Sequence, residues 1–478
     1  MKRNLAIIFF VSSFISMCNI SSNAEDISLL QNKAETGDPI SQCKLADCYF
    51  NGNSVIRNDL EALEWYRKSA EQGYAPAQFM LGFFYQVGNV VEPNYTEAVK
   101  WYRKAAEQGN VDGQINLAIL YENNNNFEEA AQWYRILAEQ GNMYAQEFLG
   151  VFYEEGKGVE QDFFQAAKWY MEAAEQGNIN GQYYLGKCYY SGKGVPQNYS
   201  IAVEWFNKAA QCGHEIAQYD LGVCYENGIG ISKDNIEAVR WYKKSAEKGY
   251  AKAQNDLGSC YECGIGIEQD KTEAVYWYRQ AAEQGFPMSQ CNLGRCCLNG
   301  IGVEKNYEEA GNWLRKSAEQ DYAEAQWLLG SILTICYIEP KDSNETFKWL
   351  KKASEQGHIK AQRLLGSCYE FGEWVKKDYA EAVKWYTEAA TKGDAKAQYY
   401  LARCYLYGYG VSKNYTEAVK WYNKAAQCGY EFAQYDLGVC YEEGIGVNKN
   451  IKEAVNWYKK AAEQGFNDAI ESLKRLGY

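Results

Sequence analysis

Ala217-Gln-Tyr-Asp-Leu-Gly-Val-Cys-Tyr-Glu-Asn-Gly-Ile-Gly-Ile231 carries its apolar residues in one helical stripe. Ala217, Leu221, Cys224 and Tyr225 stand at i, i+4, i+7 and i+8, the spacing of a single buried helix face. Gly228 and Gly230 then end that helix and supply backbone freedom for a turn. Asp234 opens a second helix with Glu237 three residues on, the arrangement of a capping box. Ala238, Trp241, Tyr242, Ser245 and Ala246 form its apolar face, and Gly249 closes it. The stretch therefore predicts a pair of antiparallel helices. Neither helix can bury its stripe alone, so the pair needs neighbours.

The neighbours are in the same chain. Trp recurs at 65, 101, 133, 169, 205, 241, 277, 313, 349, 385, 421 and 457. Ten of the eleven intervals are 36 residues and one, Trp101 to Trp133, is 32. A fixed period of that length is the mark of a repeat array. Asn or Asp fills the cap position in all twelve units, from Asn58 to Asn450, and Glu or Gln follows three later in eleven. The closing Gly is kept in eleven units, with Asp321 in the other. Allowing for the short unit, the place nineteen residues before each Trp is Gly in nine units and Ala (Ala46, Ala118, Ala402) in three. So small a side chain predicts close helix–helix approach there.

Two units depart from the pattern. The one ending at Trp133 has Asn123 to Asn126 in place of the Gly-x-Gly loop, and the one ending at Trp349 has Ile338-Glu339-Pro340. Residues 208–231 and 424–447 are nearly identical and lie six units apart, which points to growth by copying a block.

The 478 residues are 47% hydrophobic and 23% charged, excluding a disordered or collagen-like chain. A net charge of −13 without basic clusters excludes a phosphate-neutralising nucleic-acid binder. Lys2 and Arg3 precede an apolar run from Leu5 to Met17, and Ser22-Asn23-Ala24 offers a cleavage site, the layout of a secretory signal peptide. Met17 beside Cys18 argues against lipidation there. No later segment approaches the roughly 18 apolar residues of a membrane span. The expected organisation is a signal peptide at 1–24, half a unit at 25–37, twelve units over 38–465 and a capping helix at 466–478.

The pattern resembles the Sel1-like repeats, relatives of the tetratricopeptide repeats. It is carried by A-x-A-Q-x-x-L-G-x-x-Y, then G-x-G-V/I, then E-A-x-x-W-Y-x-K-A-A-E-Q-G, over about residues 27–478. The resemblance implies an all-α, right-handed α-solenoid of about twelve 36-residue helix-turn-helix units. It also implies a protein-interaction scaffold, with precedents in signalling, envelope biogenesis, host interaction and endoplasmic-reticulum quality control. A cysteine-rich branch with two bridged Cys per repeat, described as β-lactamases, supplies the competing expectation of a hydrolase acting on peptidoglycan or β-lactams.

Residue chemistry favours the scaffold. Eight of the 16 Cys (48, 188, 224, 260, 296, 368, 404, 440) share one column, seventeen residues before the Trp. Stacked equivalents about 10 Å apart are too distant for disulfides, which need Cα atoms within about 7 Å. Buried thiols in the core stripe are expected, with Cys212 and Cys428 as reactive exceptions. Cys260, Cys263, Cys296 and Cys297 fall on different units without His, so no metal is expected. His214 and His358 are expected on exposed turns. Ser-x-x-Lys at Ser41/Lys44 and Ser245/Lys248 lacks its companion motifs. Asn94, Asn198 and Asn414 open glycosylation sequons but are already accounted for as helix caps. No catalytic residue, cofactor or metal is expected.

Specificity in a repeat array belongs to the columns that vary. On the first helices these lie 22, 18 and 15 residues before the Trp, a face turned away from the stripe. By analogy with related repeats this face lines the concave surface. It carries Phe79, Phe83, Tyr183, Tyr190, Tyr219, Trp327, Arg363, Tyr399, Arg403 and Tyr435, residue types that anchor protein interfaces. The other expectation is packing against the next unit. Trp327 stands out because its column is otherwise not Trp.

Overall fold

The computed structural model describes residues 24–88, 90–334 and 343–478, without side chains at 24–26, 333–334 and 343–344. Residues 1–23 of the expected signal peptide and the divergent Ile338-Glu339-Pro340 lie outside them. The described residues form 26 α-helices and no strand, nearly all of thirteen residues. Two compact units divide the chain, Met1–Lys233 and Asp234–Tyr478. The first holds twelve helices, from α1 (Ala24–Glu35) to α12 (Glu215–Asn227). The second holds fourteen, from α13 (Asn235–Glu247) to α26 (Asn467–Arg475). Within each, helices pack on their neighbours in chain order, an all-α solenoid of helical hairpins.

Ten of the twelve hairpins close on one aromatic ring, and the other two on Leu314 and Leu350. The residue after the Trp, such as Tyr102, Tyr170, Tyr386 or Tyr458, is fully buried and lies against the small residue of its first helix. A Cβ added at Gly150 would sit 2.6 Å from the Tyr170 ring, closer than real contacts allow. That is why nine units keep Gly there and none carries a side chain larger than that of Ala. In several units the buried phenol donates to an acid or amide near the end of the first helix. Tyr170 donates to Glu154 at 2.7 Å, Tyr386 to Glu370 at 2.6 Å and Tyr458 to Glu442 at 2.7 Å.

The second helices begin as the sequence predicts, on one side only. The cap side chain accepts backbone N–H groups in ten units, for example Asn94 from Glu97 at 3.1 Å and Asn450 from Glu453 at 3.2 Å. In ten units the cap's N–H is taken up elsewhere than by the Glu or Gln of the expected capping box. The cap's own N–H bonds the first helix instead, Asn94 to the Tyr85 carbonyl at 2.8 Å. The released Glu accepts the Trp indole: Trp101 to Glu97 at 3.1 Å, Trp349 to Glu345 at 3.2 Å.

Successive hairpins are tied by a buried amide ladder. The Gln of each A-Q pair donates to a carbonyl eight residues back, as Gln254 does to Ala246 at 3.1 Å. Its oxygen accepts from the Gln thirty residues on, Gln284 to Gln254 and Gln176 to Gln146, both at 2.7 Å. The second Gly of the loop allows another tie. A Cβ at Gly158 would lie 2.1 Å from the Phe127 carbonyl of the preceding hairpin, so backbone rests directly on backbone. Asp321 takes the left-handed conformation at φ 59°, as its place in the Gly column requires.

Candidate partner-binding surface

The variable first-helix residues do not form one open row. Phe79 is 5% exposed with its ring 5.8 Å from Tyr102, and Tyr183 is 8% exposed with its ring 4.5 Å from His214. Both belong to the packing, contrary to the expectation of a binding role, because their neighbours already cover them. Phe83 is half-buried against Phe84, at 6.3 Å, and Tyr190 lies 5.3 Å from Tyr199. Tyr219 is half-buried.

A rule governs the column 22 residues before the Trp. Five of its side chains meet the residue just before the next hairpin's first helix, 31 positions on, Tyr183 and His214 among them. Trp327 stacks on His358 at 5.1 Å, with the Lys360 ammonium 4.7 Å from the ring centroid. Arg363 pairs with Asp394 at 3.4 Å. Tyr399 meets Tyr430 at 5.3 Å, and Tyr435 meets Phe466 at 5.2 Å. Trp327 and Arg363 thus join hairpins. The histidines are corrected too. The Nδ1 of His214 and of His358 accepts a backbone N–H at 3.1 Å, so both are helix caps, half-buried against an aromatic ring.

The same rule assembles one open cluster. In α22 (Ala395–Tyr407), α24 (Glu431–Glu443) and the start of α26, five rings touch in sequence. Tyr399 reaches Tyr430 and, at 6.1 Å, Phe432; Phe432 lies 5.4 Å from Tyr430 and 5.1 Å from Phe466; Tyr435 closes on Phe466. Phe432 is 41% exposed. The Arg403 guanidinium lies 5.9 Å from the Tyr399 ring centroid. Burial holds the Asp436 carboxyl above its usual range. Three predicted residues, Tyr399, Arg403 and Tyr435, meet here. Tyr430, Phe432 and Phe466 were missed, although the place of Tyr430 and Phe466 directly after the closing Gly is visible in the repeat.

The other candidates resolve simply. All eight column thiols are buried, while Cys212, Cys263 and Cys428 are exposed, and no disulfide joins the described cysteines. Burial pushes Cys188, Cys224, Cys296, Cys368, Cys404 and Cys440 up to about 12. Ser41 is buried and donates to Asp38, the cap of its own helix, and Ser245 is fully buried. Among the described residues no cluster of His, Cys, Asp and Glu is gathered for a metal, and no helix is long and apolar enough to cross a membrane.

Twelve consecutive matches to the Sel1 repeat run from residues 39–74 and 75–110 through the short 111–142 to 432–466. The chain belongs to the Sel1 repeat family. Its likeness to a solved protective antigen of uropathogenic Escherichia coli, c5321, described as an SLR fold, spans 95% of this chain and 90% of that one, at 34% identity and TM-score 0.71. A Sel1 repeat protein from Oxalobacter formigenes is 33% identical over 50% of this chain and 98% of its own, TM-score 0.47. Helicobacter pylori cysteine rich protein B is also 33% identical, over 27% of this chain and 96% of its own, TM-score 0.23. No curated protein matches. The Sel1 repeat solenoid suggests a scaffold for protein partners.

Proposed function

We propose that this Sel1 repeat protein is an exported, non-catalytic scaffold that holds a protein partner on the Tyr399–Tyr430–Phe432–Tyr435–Phe466 cluster. The observation that carries the reading is the 41% exposure of Phe432 at the centre of touching rings. Exposed aromatic rings beside a guanidinium are what interface hot spots are made of. Export rests on Lys2, Arg3, the apolar run to Met17 and the site after Ala24.

The test compares the wild-type chain with Phe432→Ser in affinity capture from the source organism's own surroundings, with circular dichroism on both. A partner retained by the wild type and lost by an equally folded variant supports the scaffold. Hydrolysis of nitrocefin or peptidoglycan by the purified chain would overturn the non-catalytic assignment. N-terminal sequencing of the exported protein should begin at Glu25.

A further inference from the structure

The second cluster of interest lies in residues 111–193 and follows from the four-residue deletion. Between α6 (Val111–Asn123) and α7 (Phe127–Glu139) the loop has three residues, 124–126. The next hairpin, α8 (Met143–Glu155) and α9 (Phe163–Glu175), has seven, 156–162. In the longer loop Val159 packs on the hydrophobic core; the shorter one has no counterpart. Beside Asn123, the last residue of α6, and Asn125 of the short loop a cavity of about 710 Å³ opens. That is within the range of ligand-binding pockets.

Its walls come from three successive first helices: Ile115 and Ile119 of α6, Phe148 of α8, and Tyr184 of α10 (Ile179–Ser191). Tyr134 stacks on Phe148 at 5.2 Å, and Tyr184 on Tyr170 at 5.0 Å, so the rings are held in place. Two carboxylates line the same space. Glu147 is only 6% exposed and accepts from Asn180 Nδ2 at 2.9 Å; Glu122 accepts from the Tyr134 hydroxyl at 2.8 Å. The one lining cation, Lys157, is already paired with Glu155.

We propose that this cavity seats a lysine or arginine side chain of a partner polypeptide. The aliphatic stem lies on Ile115, Ile119 and Phe148, and the cationic head meets the aromatic rings and the Glu122 and Glu147 carboxylates. Aromatic faces and carboxylates both attract a cation, most strongly where water is excluded. Two carboxylates among aromatic faces give this space a negative field, so a basic guest gains where a neutral or acidic one does not. The proposal rests on the scaffold reading and uses residues outside the Phe432 cluster.

The probes are a fluorescein-labelled Leu-Lys-Leu-Lys-Leu peptide and its Leu-Glu-Leu-Glu-Leu counterpart, followed by anisotropy with the full chain. The lysine peptide is expected to bind at least tenfold more tightly. E147Q should weaken it about fivefold or more. Replacing residues 124–126 by a copy of 156–162 should abolish the preference with the circular dichroism unchanged. If that graft unfolds the chain, Ile115→Trp fills the same cavity and serves instead. Equal binding of the two peptides, or full preference in a folded chain with the cavity filled, overturns the proposal. The Phe432→Ser variant should keep the peptide preference. A wild-type chain that captures its partner yet shows no lysine preference sinks the cavity alone.

Discussion

The amide ladder gives the most specific test at single residues. It breaks where the donor is replaced. Thirty residues after Gln182 and Gln398 stand Cys212 and Cys428, and the buried oxygens of both glutamines have no hydrogen-bond partner. A buried acceptor left unpaired costs about 1–3 kcal/mol. Cys212→Gln and Cys428→Gln should each raise stability by about 1 kcal/mol in urea unfolding, and no gain would dissociate the ladder from stability. The thiol column makes a second prediction. Its ordinary value of 9.0 rises to about 12 in the native state, so above pH 9 the unfolded chain releases protons that the folded chain keeps. Stability must then fall as pH rises, by about 1.4 kcal/mol per pH unit for each such thiol. Below pH 9 the thiols should leave stability flat and resist thiol reagents, with Cys212, Cys263 and Cys428 reacting first. The column's burial was legible because Cys sits in an apolar stripe. The ladder was not, since a polar Gln at fixed spacing gives no sign of its partner until two hairpins are stacked.

Among the helices, the column 22 residues before the Trp left two expectations open, a binding face or packing against the next unit. Sequence spacing placed it correctly off the stripe, but periodicity within one helix cannot see what the next hairpin brings. Tyr183 and His214, Trp327 and His358, Arg363 and Asp394 are each 31 residues apart, and only stacking makes them neighbours. Trp327→Ala should therefore lower stability as well as remove surface. A double-mutant cycle with His358→Ala should show a coupling of about 0.5–1.5 kcal/mol in urea unfolding. A coupling of zero would return Trp327 to the surface. Trp349, 4% exposed and bonded to Glu345, should cost about 3–5 kcal/mol on truncation to Ala. The loops follow the same logic. The deletion before Phe127 was plain in the sequence, but the cavity it leaves depends on Ile115, Phe148 and Tyr184 from three different hairpins.

For the whole chain, the period of 36 and the cap, Gly and Trp columns were enough to specify a helical-hairpin array, because each unit repeats the same local instructions. Function was legible only as a class, since the partner is encoded in departures from those instructions. Contacts run between chain neighbours, so stability should decline by steps as hairpins are removed. A chain ending at residue 394 should keep the ellipticity per residue of the parent and lose partner capture together with the ring cluster. The central claim is that this cluster is where a protein is held, and hydrogen–deuterium exchange with and without the captured partner tests it most directly. Slowed exchange in peptides covering 395–407 and 430–443, absent in Phe432→Ser, is the predicted result. Protection confined to other helices, or identical protection in the variant, would contradict it.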